Sequence, residues 1–96
     1  MLILGVLRRG SLHGFAIAER IKALSEDALS VGEGSLYPAL YRLQDRGWIA
    51  SEWGQSENNR RAKYYTLTKS GLKQLNVEAA SWEKMCFAIG LVMQSV

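Results

Sequence analysis

Residues 34–49 read GSLYPALYRLQDRGWI, and this stretch decides the predicted fold. Its leucines recur at the i, i+4 and i+7 spacing of one helix face: Leu36, Leu40 and Leu43. That spacing predicts a helix over about 35–46 whose leucines face a core. We expect Pro38 in the first turn, where its missing N–H costs nothing. Gly47 is placed to stop the helix at its C-terminal end.

A second face of this helix carries side chains that can bind a ligand through hydrogen bonds and charge. Its members fall at helical spacing: Pro38, Tyr41, Arg42 and Asp45. Arg42 is a candidate for a bidentate hydrogen-bond pair with guanine, although a phosphate or a glutamate would suit it equally. Ser35, at the start of the helix, is a candidate either for a phosphate contact or for the helix cap. This face is therefore the predicted reading surface.

A two-stranded ribbon is predicted directly after this helix. Residues 48–53 and 63–68 are rich in aromatic and β-branched side chains, as strands are, and the polar residues 54–61 between them would form a wing. From Asn58 to Lys73 the chain carries five Lys and Arg and no Asp or Glu. This bias suits a polyanion, and a solvated basic edge is the alternative. A short helix followed by a ribbon with a basic tip is typical of a winged helix-turn-helix, so DNA binding is the leading hypothesis.

Three further helices complete the predicted architecture, which is mainly α with a small two-stranded antiparallel wing. The first helix spans about 2–9, and the second spans about 12–24 behind an N-cap at Ser11. The last helix runs from Lys69 to about residue 93, behind an N-cap at Thr68. The inner stripe of the second helix is expected to consist of Ile17, Ile21 and Leu24.

The aromatic residues and the single histidine allow a few further predictions. Because neighbouring residues of a strand point to opposite faces, only one of Tyr64 and Tyr65 can face the core. Trp48 and Trp53 are expected to pack in the core and against the strands rather than to stack on bases. His13 is expected to pack or to cap the second helix, since no carboxylate and nucleophile accompany it as they would in an enzyme.

The final helix presents a heptad seam, in which apolar residues recur at alternating spacings of three and four from Leu72 to Val96. The residues expected at a dimer interface are Leu75, Ala79, Trp82, Cys86, Ile89 and Met93. A chain this small cannot easily cover so long an apolar helix by itself, so a second copy is expected to cover it. Packing against its own domain alone is the alternative. Residues 1–68 would then form the DNA-binding domain and 69–96 the dimerisation helix.

Composition limits the other classes of function. The 96 residues fit one domain, and 48% of them are hydrophobic, as in a folded chain. One cysteine and one histidine allow neither an intrachain disulfide nor a zinc site of the usual kind. We expect no cofactor, no metal and no enzymatic activity. The lone cysteine suits a reducing cytoplasm, and the uncharged segment 85–96 is too short to span a bilayer, so we expect a cytoplasmic protein that does not bind membranes.

Several segments resemble the PadR-like family of transcriptional regulators, and the resemblance covers nearly all of residues 2–75. They are HGFAI at 13–17, EGSLYPAL at 33–40, GWI at 47–49, WG at 53–54 and RRAKYYTLT at 60–68. The single C-terminal helix is similar to that of the short-tailed subgroup, in which one such helix builds the dimer. The resemblance implies a homodimeric repressor that binds an inverted-repeat operator.

The resemblance also implies which residues contact DNA. In the family these lie at the start of the reading helix and in the wing, and here they are Ser35, Tyr37, Pro38, Tyr41, Arg42, Asn59, Arg60, Arg61 and Lys63. Where the family commonly has Tyr, this chain has Phe15, so a phosphate contact from that hydroxyl is missing. A rival function from another class is a winged helix that binds proteins and no DNA, because a fold alone does not settle function.

Some short-tailed members of the family sense drugs through a tryptophan at the dimer centre, and Trp82 stands at the matching place. A planar aromatic ligand between two indoles is thereby implied, with Trp82, Cys86 and Ile89 as its site. The alternative is that Trp82 only packs in the interface. Cys86 is expected to be an inert thiol on the seam, with an intermolecular disulfide as the alternative.

Overall fold

The computed structural model describes residues 1–55 and 59–95. Within them the elements follow in this order: α1 (Leu2–Leu7), β1 (Leu12–His13), α2 (Gly14–Leu24), α3 (Glu33–Asp45), β2 (Ile49–Gln55), β3 (Arg61–Leu67) and α4 (Lys69–Gln94). The predicted fold class, mainly helical with a small antiparallel wing, is confirmed. The wing is the hairpin of β2 and β3, which pair antiparallel along their whole length.

The sheet has three strands rather than the predicted two, in the order β1-β3-β2. The residues of β1 pair with β3, so the predicted first turn of the second helix is a strand and α2 begins at Gly14. The N-cap of α2 is His13, whose Nδ1 accepts a hydrogen bond from the backbone N–H of Ala16 at 3.2 Å. The cap expected at Ser11 is wrong, because that hydroxyl is bonded across the sheet to the Thr66 hydroxyl at 2.8 Å.

The core lies between the first three helices, the sheet and the start of α4. Its buried hydrophobic residues are Ile3, Leu4, Leu7, Ile17, Ile21, Leu36, Leu40, Ile49, Tyr65 and Leu75. The predicted leucine face of α3 is confirmed, since Leu36 and Leu40 are each 1% exposed and Leu43 packs against the cluster. Of the two adjacent tyrosines, only Tyr65 is buried. Leu24 is not part of the core, because it ends α2 at the surface, 69% exposed.

The helix α3 begins two residues earlier than predicted, at Glu33, behind Gly32 as an N-cap without a side-chain hydrogen bond. Pro38 is therefore inside the helix and in its second turn, which corrects its expected place in the first turn. It cannot donate a hydrogen bond to the carbonyl of Gly34, four residues earlier. Ser35 also lies inside the helix, so it does not act as the cap.

A hydrogen bond joins the end of α3 to the start of α4. Gly47 has a φ of +76°, the left-handed conformation that ends a helix, as predicted. The hydroxyl of Thr68 donates to the Gly47 carbonyl at 2.7 Å and accepts from the N–H of Gly71 at 3.0 Å. Thr68 is thus confirmed as the N-cap of α4.

Only the first part of α4 packs on the rest of the chain. Leu75 is 6% exposed and belongs to the core of its own chain, which corrects its expected place in a dimer interface. The reason is that the first turns of α4 run beside α1 and the sheet. Ala79 is half-buried, and from residue 80 to 95 each residue is exposed except the half-buried Gly90. The rest of α4 therefore projects from an elongated molecule of 55 × 28 × 23 Å.

Candidate nucleic-acid interface

One face of the wing carries cations and aromatic side chains side by side. Trp53 of β2 lies opposite Lys63 of β3, and Arg61 and Tyr65 occupy the alternate positions of β3 that share this face. Arg61 stacks on the indole of Trp53, with its guanidinium carbon 4.7 Å from the ring centre. The ammonium nitrogen of Lys63 lies 6.0 Å from the ring centre of Tyr41 on α3. This face of the wing is therefore directed toward α3.

A groove of about 430 Å³ runs between this face of the wing, α3 and the start of α2. We name it the basic aromatic groove, and it is lined by His13, Gly14, Phe15, Tyr37, Tyr41, Trp53, Arg61, Ala62, Lys63 and Tyr65. Tyr37 packs against Gly14, where an added Cβ would lie 3.0 Å from the phenol oxygen. The glycine therefore lets α3 approach α2 closely.

The charge of the groove comes from its two cations. Burial raises the pKa of the Tyr65 phenol, and the neighbouring Tyr37 and Tyr41 raise that pKa further. The phenol of Tyr65 therefore keeps its proton at neutral pH. Arg61 and Lys63 supply positively charged N–H donors, which form strong hydrogen bonds with phosphate oxygens.

The structure brings part of the predicted DNA-binding set together in this groove: Tyr37, Tyr41, Arg61 and Lys63. Ser35 and Arg42 lie along another side of α3, in a separate groove next to α1. Pro38 is exposed on α3, and Asn59 and Arg60 are exposed at the start of the second arm of the wing. The predicted set is therefore accessible, but it is spread over two sides of α3.

Two exposed aromatic residues of the groove, Trp53 and Phe15, were not among the predicted DNA contacts. Trp53 was expected to pack in the core, but it is 58% exposed, because β2 continues past the core to Gln55. Phe15 is 62% exposed and lines the groove. Periodicity places Trp53 on the same face as the buried Ile49, and only its distance along the strand from that residue indicates exposure. The predicted wing, 54–61, also included residues 56–58, which lie outside the described residues.

A second groove, also of about 430 Å³, lies between α1, the end of α2 and α4, and its lining is mostly apolar. Trp82 forms part of its wall and is 54% exposed. Cys86 and Ile89, the other two expected ligand contacts, are exposed farther along α4 and do not line this groove. A single chain therefore brings only one of the three expected ligand contacts to a cavity.

The described residues form neither a membrane-spanning helix nor a metal-binding cluster. Within residues 1–55 and 59–95, no helix combines the length and the apolar character needed to cross a bilayer. Those described residues also contain no group of three His, Cys, Asp or Glu side chains arranged to hold a metal ion.

The chain is similar to known proteins over most of its length. Residues 3–77 match the Transcriptional regulator PadR-like family. The Negative transcriptional regulator PadR of Bacillus subtilis (strain 168) is 35% identical over 74 residues, which are 77% of this chain and 41% of that protein. The chain thus spans less than half of the length of that relative.

Solved structures share the fold. A PadR family transcription regulator from Clostridium difficile R20291 matches with a TM-score of 0.82 at 26% identity, covering 96% of this chain and 94% of that one. Bacillus subtilis PadR in complex with operator DNA matches with a TM-score of 0.72 at 33% identity, covering 81% of this chain and 43% of that one. The expected resemblance is confirmed, and with it a regulator rather than an enzyme. This chain belongs to the PadR-like family of transcriptional regulators.

Proposed function

We propose that this chain is a cytoplasmic, dimeric repressor that binds an inverted-repeat operator in double-stranded DNA. The observation that carries the proposal is the basic aromatic groove, where Arg61 and Lys63 of the wing face Tyr37 and Tyr41 of α3. Cations at this place would bind phosphates beside the reading helix, while exposed side chains of α3 would reach base edges in the major groove. The remaining proposed contacts flank the groove: Ser35, Pro38, Arg42, Asn59 and Arg60. The operator complex of the Bacillus subtilis relative supports DNA as the ligand.

DNA binding is tested by selecting a target from a pool of random duplexes and measuring its Kd by fluorescence anisotropy at several salt concentrations. We expect log Kd to rise linearly with log salt concentration, with a slope of about 0.9 for each phosphate contact. If no duplex is selected and no salt-dependent binding is measured, the proposal fails. The rival function, a winged helix that binds only proteins, would then be favoured.

The exposed part of α4 supports the dimer. It carries large apolar side chains that the rest of the described chain leaves exposed: Trp82, Met85, Phe87, Ile89, Leu91, Val92 and Met93. Monomeric proteins rarely expose apolar patches of this extent, and pairing with a second copy would cover the part that lies along the seam of Trp82, Ile89 and Met93. Residues 69–96 would thus be the dimerisation helix of a DNA-binding domain formed by 1–68. A two-fold axis would then place the two α3 helices about 34 Å apart on one duplex.

Ile89→Glu is expected to convert the dimer into a monomer, because the substitution would bury an unpaired carboxylate in the seam. Leu91→Glu is the matched control, since Leu91 is 55% exposed against 53% for Ile89 and lies about 200° away around the same helix. Sedimentation velocity of the wild type and both variants measures the outcome. A monomeric wild type, or dissociation caused by Leu91→Glu alone, would contradict the proposed seam.

We also propose that a planar aromatic ligand bound at Trp82 releases the operator. Trp82 lines the apolar groove between α1 and α4, at the point where α4 leaves the rest of the chain. Cys86 and Ile89 follow on the same seam and would join the site only in a dimer. A ligand changes DNA affinity only through its different affinities for two arrangements of the protein. Here these are two separations of the paired α4 helices, which set the distance between the reading helices.

Titration with planar cationic aromatics and phenolic acids is expected to quench tryptophan fluorescence saturably in the wild type. The quenching should be lost in Trp82→Ala and retained in Trp53→Phe, which removes a different exposed indole. Operator affinity measured with and without the ligand completes the test. Equal quenching in Trp82→Ala and in the wild type, or an operator affinity that the bound ligand leaves unchanged, would contradict this mechanism.

A further inference from the structure

Trp53 and Arg61 form a stacked pair in the arms of the wing. The guanidinium carbon of Arg61 lies 4.7 Å from the centre of the indole, while Trp53 remains 58% exposed. In the strand register, Trp53 is opposite Lys63 and Gln55 is opposite Arg61, so the stacked residues are diagonal neighbours on one face. A ring this exposed contributes little to the core, and a cation covers part of its surface.

Stacking restrains Arg61 without using its hydrogen-bond donors. A guanidinium stacks through its flat face, while its five N–H donors point outward in its plane. A free arginine loses rotamer freedom when it binds a phosphate, whereas a stacked one has lost part of that freedom beforehand. Arg61 and Lys63 both line the basic aromatic groove, so the restrained donors lie next to a second cation.

We propose that Trp53 is a positioning residue for DNA binding, which holds Arg61 so that its guanidinium binds one phosphate at the wing side of the groove. This inference rests on the proposed function, because the phosphate belongs to duplex DNA. Loss of the ring is expected to weaken binding roughly two- to tenfold, the range of a cation–π contact that is partly open to solvent.

A double-mutant cycle with a labelled duplex selected from random sequences tests the coupling. Arg61→Gln is expected to weaken binding and to lower the salt slope by about one. Trp53→Leu is expected to lower both affinity and slope, and the double variant should bind no more weakly than Arg61→Gln alone. Trp53→Phe, which keeps a ring, should recover most of the affinity. Circular dichroism melting of each variant establishes that it is folded.

Arg46 offers a matched control, because its guanidinium also lies over a tryptophan, 5.1 Å from the ring centre of Trp48, but at the C-terminal end of α3. Arg46→Gln removes the same charge and should leave the effect of Trp53→Leu unchanged. Additive effects of Trp53→Leu and Arg61→Gln, or wild-type affinity and slope in a folded Trp53→Leu variant, would overturn the positioning role while DNA binding stands. Failure of the wild type to bind any duplex would overturn the proposed function and this inference with it.

Discussion

Reversal of two charges in the wing, Arg60→Glu with Arg61→Glu, is expected to abolish measurable DNA binding and to leave the fold intact. Both side chains are exposed, so neither substitution removes a core contact. Each lost phosphate contact would take about 0.9 from the salt slope, and each glutamate would add repulsion from the DNA backbone. We expect Kd at physiological salt to rise about 100-fold or more. Fluorescence anisotropy measures the affinity, and sedimentation velocity shows whether the oligomeric state is unchanged.

A control must separate a contact in the wing from a general effect of net charge. Each reversal removes two charge units, so the pair takes the formal charge from +3 to −1. Arg8→Glu with Arg9→Glu makes the same change after α1, where both side chains are exposed and lie outside the basic aromatic groove. This second pair should keep DNA affinity within about tenfold of the wild type. Equal losses of DNA affinity in the two variants would contradict a contact between the wing and DNA. Undiminished DNA binding by the wing variant would exclude Arg60 and Arg61 from the DNA interface.

Local patterns predicted the centre of the fold, because they act within one element. The leucine repeat needs only the helical period to place Leu36 and Leu40 in the core, where both lie. The stop at Gly47 and the cap at Thr68 were predictable for a similar reason, since each acts on backbone groups a few residues away. These local features determine where α3 ends and where α4 begins, and the wing lies between these two points in the chain.

Features that depend on distant residues could not be predicted in the same way. The two residues of β1 are too few to show a strand pattern, and they form a strand only because they pair with β3. The early start of α3 at Glu33 was hidden by the glycines on either side of it, which are poor helix formers. On α4, the same apolar repeat continues from the buried Leu75 to the exposed Trp82. The repeat therefore does not show where the helix leaves its own domain.

The candidate site was predictable to a similar extent. Tyr37, Tyr41, Arg61 and Lys63 were all expected to contact DNA, and the structure places them around one groove. The indole of Trp53, which stacks with Arg61, was not expected in the groove. Alternation along a strand predicts which face a side chain occupies, but not how deeply it is buried. Trp53 is exposed because its strand extends beyond the core, and the length of the described strand shows this directly.

Gly71→Ala is expected to lower the free energy of unfolding by about 2–3 kcal/mol, at the upper end of the cost of overpacking. An added Cβ would clash with the Trp48 carbonyl oxygen and would lie 2.8 Å from Cδ1 of Leu67. The Trp48 carbonyl cannot easily move away, because it accepts a hydrogen bond from the N–H of Thr68 at 3.1 Å. Relief therefore requires α4 to shift away from Trp48, which precedes β2, and from its own cap. The midpoint of thermal unfolding should fall by about 10 °C or more.

Gly34→Ala separates this clash from the ordinary preference of helices for alanine. Gly34 is exposed in α3, and a Cβ added there would meet no neighbour within 4 Å beyond its own helix backbone, so this variant should gain up to about 1 kcal/mol in stability. Urea unfolding of both variants at one protein concentration measures the difference and keeps any dimerisation constant. Wild-type stability in Gly71→Ala would show that α4 can be displaced from Trp48 at no cost. A rigid junction between α3 and α4, which the proposed transmission of ligand binding from Trp82 to the reading helix requires, would then be contradicted.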